Sequence, residues 1–343
     1  MGTGAAALTP VADSTTTLAT IDIGTNTTLL LVARLAGAPA TAGHAGPDAD
    51  GGSGGGTVLA ERAEITRLGR GIGTTGQLGA AGIAATLDVL RDYVAIARRH
   101  GARIAAIGTE GLRRATNADA FLIPARQILG ADVEVIDGAR EAALTFRAVT
   151  ESFPALARAG APLIVVDIGG GSTEIIVAER GAARLRASLP LGSVRLTERH
   201  IRADPPAAGE LDAVRAAIAG ELGASGLRAA LSGGATTLVG VAGTVTSLAA
   251  MAQDLASYDP ARVHGFALTR AALDAQIARL TRATQPEREA MPGLDPRRAD
   301  VILAGALILR ALVETTEASE VVVSDRGIRW GLLYEARDSE PRA

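Results

Sequence analysis

Two short segments, Asp22-Ile-Gly-Thr-Asn-Thr27 and Asp167-Ile-Gly-Gly-Gly-Ser-Thr-Glu174, carry nearly the same pattern at distant points of the chain. Each ends an apolar run, Leu18 to Ile23 and Leu163 to Ile168, with an aspartate, then glycine, then hydroxyl side chains. A short apolar run bounded by glycine fits a buried strand. Glycines let the following backbone curve so that successive N–H groups point inward as an anion nest. Either turn alone fits a glycine-rich hairpin equally well. The pair points to two similar lobes whose turns face each other across a cleft, with a phosphate or phosphate chain held between them.

The length agrees with this, since 343 residues exceed one ordinary hydrophobic core. Hydrophobic residues make up 48% and charged residues 21%, and no apolar run reaches the roughly 20 residues of a bilayer span. No basic segment followed by an apolar core opens the chain, and cysteine is absent, so the cytoplasm is the default location. Every fixed cation is an arginine, because the sequence contains no lysine. Arginine grips phosphate in a bidentate fork, but a lysine phosphate loop and a lysine Schiff base are excluded. A net charge of -3 and sparse aromatics give no platform for nucleic acid.

Residues 1–17 are small and polar, and 36–57 are rich in Gly, Ala, Pro and Asp. Both read as disordered, the second as an insertion at the tip of a hairpin between Thr28–Leu35 and Val58–Thr66. Apolar spacing predicts a helix over Gly79–His100, a strand at Arg103–Gly108, a helix over Asn117–Leu129 and a strand at Asp132–Ile136. A second copy opens at Leu163–Val177, with a hairpin partner at Ala183–Ser188, a helix over Ala207–Glu221 and a strand at Thr237–Val241. A helix over Arg297–Glu314, with Asp295 as N-cap and Pro296 in its first turn, precedes a strand at Val321–Ser324. The expected division is lobe one over 18–138 and lobe two over 139–326. Residues 327–343 form a C-terminal segment for which a return to lobe one is one path.

The candidate phosphate ligands are Gly24, Thr25 and Asn26 in the first turn and Gly169, Gly170, Gly171, Ser172 and Thr173 in the second. Gly243 and Thr244 form a third, weaker glycine and hydroxyl turn after an apolar run. Asp167 and Glu174, with Asp22 in the equivalent place of lobe one, suit Mg2+ held through oxygen ligands. Glu141 follows a strand and a glycine turn near a helix start between the lobes; it suits a general base towards water, and first-turn helix electrostatics account for it equally. Arg113 follows another strand end and could clamp phosphate, or lie on the surface. The histidines 44, 100, 200 and 264 have no metal-ligand spacing.

The ordered set IDIGTNT, ITRLGRGI, GTEGLRRATN, VIDGAREAALTF, VVDIGGGSTEI, LPLGSVRLTE, VAGTVTSLAA, GLDPRRADVILAGA and SDRGIRWGLL resembles the exopolyphosphatase and guanosine pentaphosphatase (Ppx/GppA) family. The resemblance implies the two-lobed α/β fold of actin-like ATPases, ribonuclease H-like in plan, with an active site in the interlobe cleft. It implies Mg2+-dependent hydrolysis of a terminal phosphoanhydride, with Glu141 as catalytic glutamate, Asp167 and Glu174 near the metal, and Arg113 in the cleft. Two positions depart from the family pattern. Arg140 stands beside Glu141 where a second glutamate is common, and Ile328-Arg-Trp330-Gly331 replaces Leu-Arg-Glu-Gly. The helical domains that long members carry after this point are not expected, which bears against processive grip on long polyphosphate.

The expected substrate is therefore inorganic polyphosphate, in short chains, with the 5′ γ-phosphate of guanosine pentaphosphate as the alternative. An actin-like nucleotide-binding scaffold, or a sensor of guanosine polyphosphates without turnover, is the reading from another class. A helix over Val301–Val313 that is apolar around much of its circumference suggests a homodimer, or equally a helix buried inside lobe two.

Overall fold

The computed structural model describes residues 16–35, 56–231, 233 and 236–339. The disorder expected over 1–17 and 36–57 therefore falls outside the described residues, except at its edges, where Thr17 and Gly56 already begin strands.

Lobe one is built on a sheet of β1 (Thr17–Ile23), β2 (Thr27–Leu35), β3 (Gly56–Ile65), β4 (Arg103–Gly108) and β5 (Val133–Val135), in the order β3-β2-β1-β4-β5. Lobe two repeats the plan with β6 (Leu163–Ile168), β7 (Thr173–Glu179), β8 (Ala182–Leu189), β9 (Thr237–Val241), β10 (Ala267–Thr269) and β11 (Glu320–Val323), in the order β10-β11-β9-β6-β7-β8. In both sheets the first three strands form an antiparallel meander, and the first strand also pairs in parallel with the next strand after a helix. The first strand is thus central. That position explains why β6, LIVVDI, is buried at every residue and reads as one apolar run.

Each sheet is covered on both faces. In lobe one, the helices Ala80–Arg99 and Asp119–Leu129 bury Leu90, Tyr93, Phe121 and Ala125 against Ala19, Ile21, Leu30 and Val32. The other face carries the C-terminal helix Ile328–Ser339, whose Trp330, Leu333 and Tyr334 pack on Leu18, Leu31 and Ala33. In lobe two, the Gly138–Ser152 helix packs Ala142 and Val149 on Val165, Ile176 and Val239. These two helices also cross each other. A Cβ on Gly331 would lie 2.0 Å from the Leu144 carbonyl oxygen, and Arg140 holds Glu335 through two N–H···O bonds of 2.8 Å. The arginine that departs from the family pattern therefore ties the crossing helices together.

The helix expected over Arg297–Glu314 is in fact a 3-10 turn at Pro296–Arg298, where Asp295 accepts the Arg297 N–H, followed by a helix at Ile302–Thr316. That helix is apolar around most of its circumference because it packs in the core of lobe two, against Val245, Leu248 and Leu273, with Arg310 and Glu314 on its polar edge. The ground for reading it as a homodimer surface disappears.

Candidate active site

The two glycine turns close in the same way. The Gly24 N–H donates to the Thr27 carbonyl at 3.0 Å, and the Gly169 N–H donates to the Ser172 carbonyl at 3.0 Å. Each turn joins the central strand of its sheet to the neighbouring antiparallel strand, so Asp22 and Asp167 occupy matching strand ends. The turns also meet across the lobes: a Cβ on Gly170 would fall 3.2 Å from Asn26 Cβ and 3.4 Å from Thr25 Cβ. A side chain at Gly170 would press on these atoms, so the two turns pack closely here.

On one side of this contact lies a cavity of about 560 Å3. Its lining includes Asp22, Gly24, Thr25, Asn26, Glu141, Asp167, Gly169, Gly170, Gly171 and Ser172. Gly243 and Thr244 line its opposite wall. They lie in the first turn of the Ala242–Ala252 helix, after a left-handed residue, Ala242, at φ 71°. A positive φ at a residue with a side chain is backbone strain of the kind found at ligand sites.

The carboxylates sit at the base of this cavity or just behind it. Burial, with Asp167 adding repulsion, pushes Asp22 up to about 7. Asp167 is raised to about 6 by burial, although the Thr145 hydroxyl donates to its Oδ2 at 3.1 Å. Glu174 is raised to about 8 by burial and then by Asp167. Glu141 rises well above the usual carboxylate range through burial and the charges of Glu174, Asp167 and Asp22, with Arg113 opposing. Asp22 Oδ1 and Glu141 Oε2 are buried without a hydrogen-bond partner. Clustered acids with unmet oxygens suit a cation, which would lower all four pKa values together.

These residues fit Mg2+. Among the described residues no three His, Asp or Glu side chains are set to hold an ion by themselves. The observation that bears on the fit is the buried Asp22 Oδ1 without a hydrogen-bond partner near Asp167, since Mg2+ is bound through one or two carboxylates together with phosphate oxygens and waters.

Several residues chosen from the sequence sit away from the cavity lining. Thr173 is fully buried and its hydroxyl donates to the Leu191 carbonyl at 2.6 Å, so it holds the fold together rather than a phosphate. Glu174 lies behind Asp167, and the Ser188 hydroxyl donates to it at 2.6 Å. Arg113 donates to the Ile136 carbonyl at 2.7 Å and lies 3.6 Å from Glu141 Oε2. It faces the glutamate rather than the open cavity. Gly243 lines the cavity, yet the space of its missing Cβ is filled by a guanidinium, with Arg298 Nη1 2.2 Å from that point.

Arg298 itself has no counterpart in the sequence reading. It lines the cavity, its Nη2 donates to Thr27 Oγ1 at 3.2 Å, and it is in no ion pair among the described residues. Burial lowers its pKa, against the opposing pull of the Asp295 charge. Only its place within GLDPRRADVILAGA marked it beforehand. Glu110, buried beside the turns, was also missed; it joins the lobes by accepting from Thr25 at 3.3 Å and by pairing with Arg114 at 3.0 Å and with Arg195.

Two facing glycine turns, buried carboxylates and an unpaired guanidinium around one interlobe cavity define a phosphate-handling protein of the two-lobed actin-like class. The model of the Ppx/GppA phosphatase family matches residues 49–340, and the chain belongs to that family. Exopolyphosphatase 2 of Mycobacterium tuberculosis is 36% identical over 327 residues, covering 92% of this chain and 97% of the relative. Guanosine-5′-triphosphate,3′-diphosphate pyrophosphatase of Vibrio campbellii is 31% identical over 240 residues, covering 68% of this chain but 44% of the relative. The crystal structure of the Aquifex aeolicus Ppx/GppA family member superposes with a TM-score of 0.74 at 31% identity, covering 95% of this chain and 100% of that one.

Proposed function

We propose that the protein is an exopolyphosphatase that removes the terminal phosphate of inorganic polyphosphate as orthophosphate. The carrying observation is Glu141: a cavity-lining carboxylate whose buried Oε2 has no hydrogen-bond partner and lies 3.6 Å from Arg113, beside both phosphate turns. The N–H groups of the two turns hold the terminal phosphate, and Arg298 neutralises oxygens further along the chain. Glu141 takes a proton from water as the water oxygen bonds to the terminal phosphorus. The bond from that phosphorus to the bridging oxygen breaks, and the shortened chain leaves with the electron pair. Phosphoryl transfer asks the protein mainly for positioning and charge neutralisation. Asp22 and Asp167 would hold Mg2+, which supplies charge neutralisation on the phosphate oxygens. By facing Glu141, Arg113 favours its ionised form as a base.

The near-complete coverage of the mycobacterial exopolyphosphatase favours polyphosphate as substrate. The apolar outer wall of the cavity, Leu255, Leu294 and the half-exposed ring of Tyr258, favours a second reading, in which a nucleoside is also admitted and guanosine pentaphosphate is hydrolysed. Phosphate release from polyphosphates of defined length, compared with guanosine pentaphosphate, distinguishes the two. Glu141→Gln is expected to lower kcat by about 10²–10⁴-fold with KM changed far less; near wild-type turnover at saturating Mg2+ would remove the base assignment.

A further inference from the structure

On the far side of the paired turns lies a second cavity, of about 300 Å3. Thr25, Glu110, Gly170 and Gly171 line both cavities and so form the partition between them. The partition is thin: a Cβ on Gly171 would lie 1.9 Å from Glu110 Oε2. Four arginines line the second cavity, Arg114 from lobe one and Arg195, Arg199 and Arg202 from lobe two. Arg195 and Arg199 are one turn apart in the Ser193–His200 helix and share a face, and Arg202 follows just after its end.

The two carboxylates in this lining, Glu110 and Glu198, are already engaged. Glu110 takes Thr25, Arg114 and Arg195, and Glu198 accepts the Gly71 N–H across the lobes at 3.0 Å. Arg199 and Arg202 are exposed and are in no ion pair among the described residues. The cavity thus keeps a surplus of positive charge in forked donors, at a size suited to a small anion. We infer that it is a second phosphate-binding site, which takes inorganic phosphate or phosphate units of a chain beyond the reacting end. Guanidinium forks match phosphate oxygens bidentately, and the partition places this site one residue away from where phosphate is released. Binding of inorganic phosphate here stands independently of the proposed reaction; the source of the bound phosphate rests on it.

The test is calorimetric titration of the full chain and its Arg199→Ala/Arg202→Ala variant with inorganic phosphate. Wild type should bind in two classes, and the variant should lose one class or bind it about tenfold or more weakly, the other class holding. Equal stoichiometry and affinities in both proteins overturn the site, as does a single class in wild type. Because both side chains are exposed, Arg199→Glu serves as a second variant, and it should weaken the same class further.

Kinetics then separate the sources. If the bound phosphate is the product, the double variant raises the orthophosphate inhibition constant about tenfold and leaves KM for long polyphosphate unchanged. If the bound units belong to the chain, KM for long polyphosphate rises about tenfold while KM for tripolyphosphate holds. If neither constant moves, the link to the reaction fails. A wild-type protein that titrates phosphate in two classes yet hydrolyses no polyphosphate removes the proposed function and leaves the site standing.

Discussion

Asp22→Asn isolates the electrostatic cost built into the cleft. The Asp22 carboxyl titrates near 3.8 in an unfolded chain and at about 7 in the folded protein, chiefly because it is buried. Between those values the folded protein keeps a proton that the unfolded chain has released. The stability from that proton is complete below about pH 4 and is lost as pH rises through about 7. Three pKa units correspond to roughly 4 kcal/mol, with a local slope of about 1.4 kcal/mol per pH unit. Asparagine carries no charge to bury, and Asp22 Oδ1 has no partner to lose.

Chemical denaturation with a chelator present, from pH 5 to 8, should therefore show wild type losing stability and Asp22→Asn losing distinctly less. At pH 8 the variant should be more stable than wild type by up to roughly 4 kcal/mol. With saturating Mg2+ the order should narrow or invert, because wild type gains from binding and the variant lacks one ligand. If the two proteins run parallel across the pH range, or the variant is the less stable at pH 8 in chelator, the reasoning from burial is refuted.

Arg298→Ala should raise KM for polyphosphate by about tenfold or more, and Arg298→Lys should recover part of that loss, as measured by initial rates across substrate concentration. An unchanged KM in Arg298→Ala would remove its role as a phosphate clamp. Gly331→Ala places a Cβ 2.0 Å from the Leu144 carbonyl oxygen, so the two crossing helices must part. A loss of at least about 1–3 kcal/mol is expected in denaturant titration, and full stability would show that the crossing is looser than described.

The parts of this fold that were legible in the sequence are those whose pattern is local. Thr237–Val241 and Arg103–Gly108 were bounded correctly because a central or parallel strand is a short apolar run between glycine or polar stops. The Ala242–Ala252 helix was not recognised. Its sequence, AGTVTSLAAMA, is buried nearly throughout, so it shows no polar face from which a helical period can be read. The C-terminal helix is hard to see in the sequence, because Gly331 in its interior argues against helix and is required only by the neighbour it crosses.

The site divides in the same manner. Both glycine turns, Asp22 and Asp167 are readable because duplication marks their places, whereas Glu141 is marked only by the resemblance of its VIDGAREAALTF segment. Thr173 was grouped with the turn although strand alternation sends its hydroxyl into the core. Arg298 could not be ranked above other arginines, since its importance lies in lining the cavity without forming an ion pair among the described residues, which only three-dimensional neighbours reveal.

The pairing of the two meanders has a further consequence. In lobe two Asp167 stands opposite Glu174, whereas in lobe one Asp22 stands opposite Leu29. A polyphosphate chain looks the same read from either end, and two equivalent half-sites would offer it no sense of direction. One leucine in place of one glutamate makes the halves unequal, so the two turns differ in the charge behind them and the cleft has a sense of direction that the duplicated turns by themselves would lack.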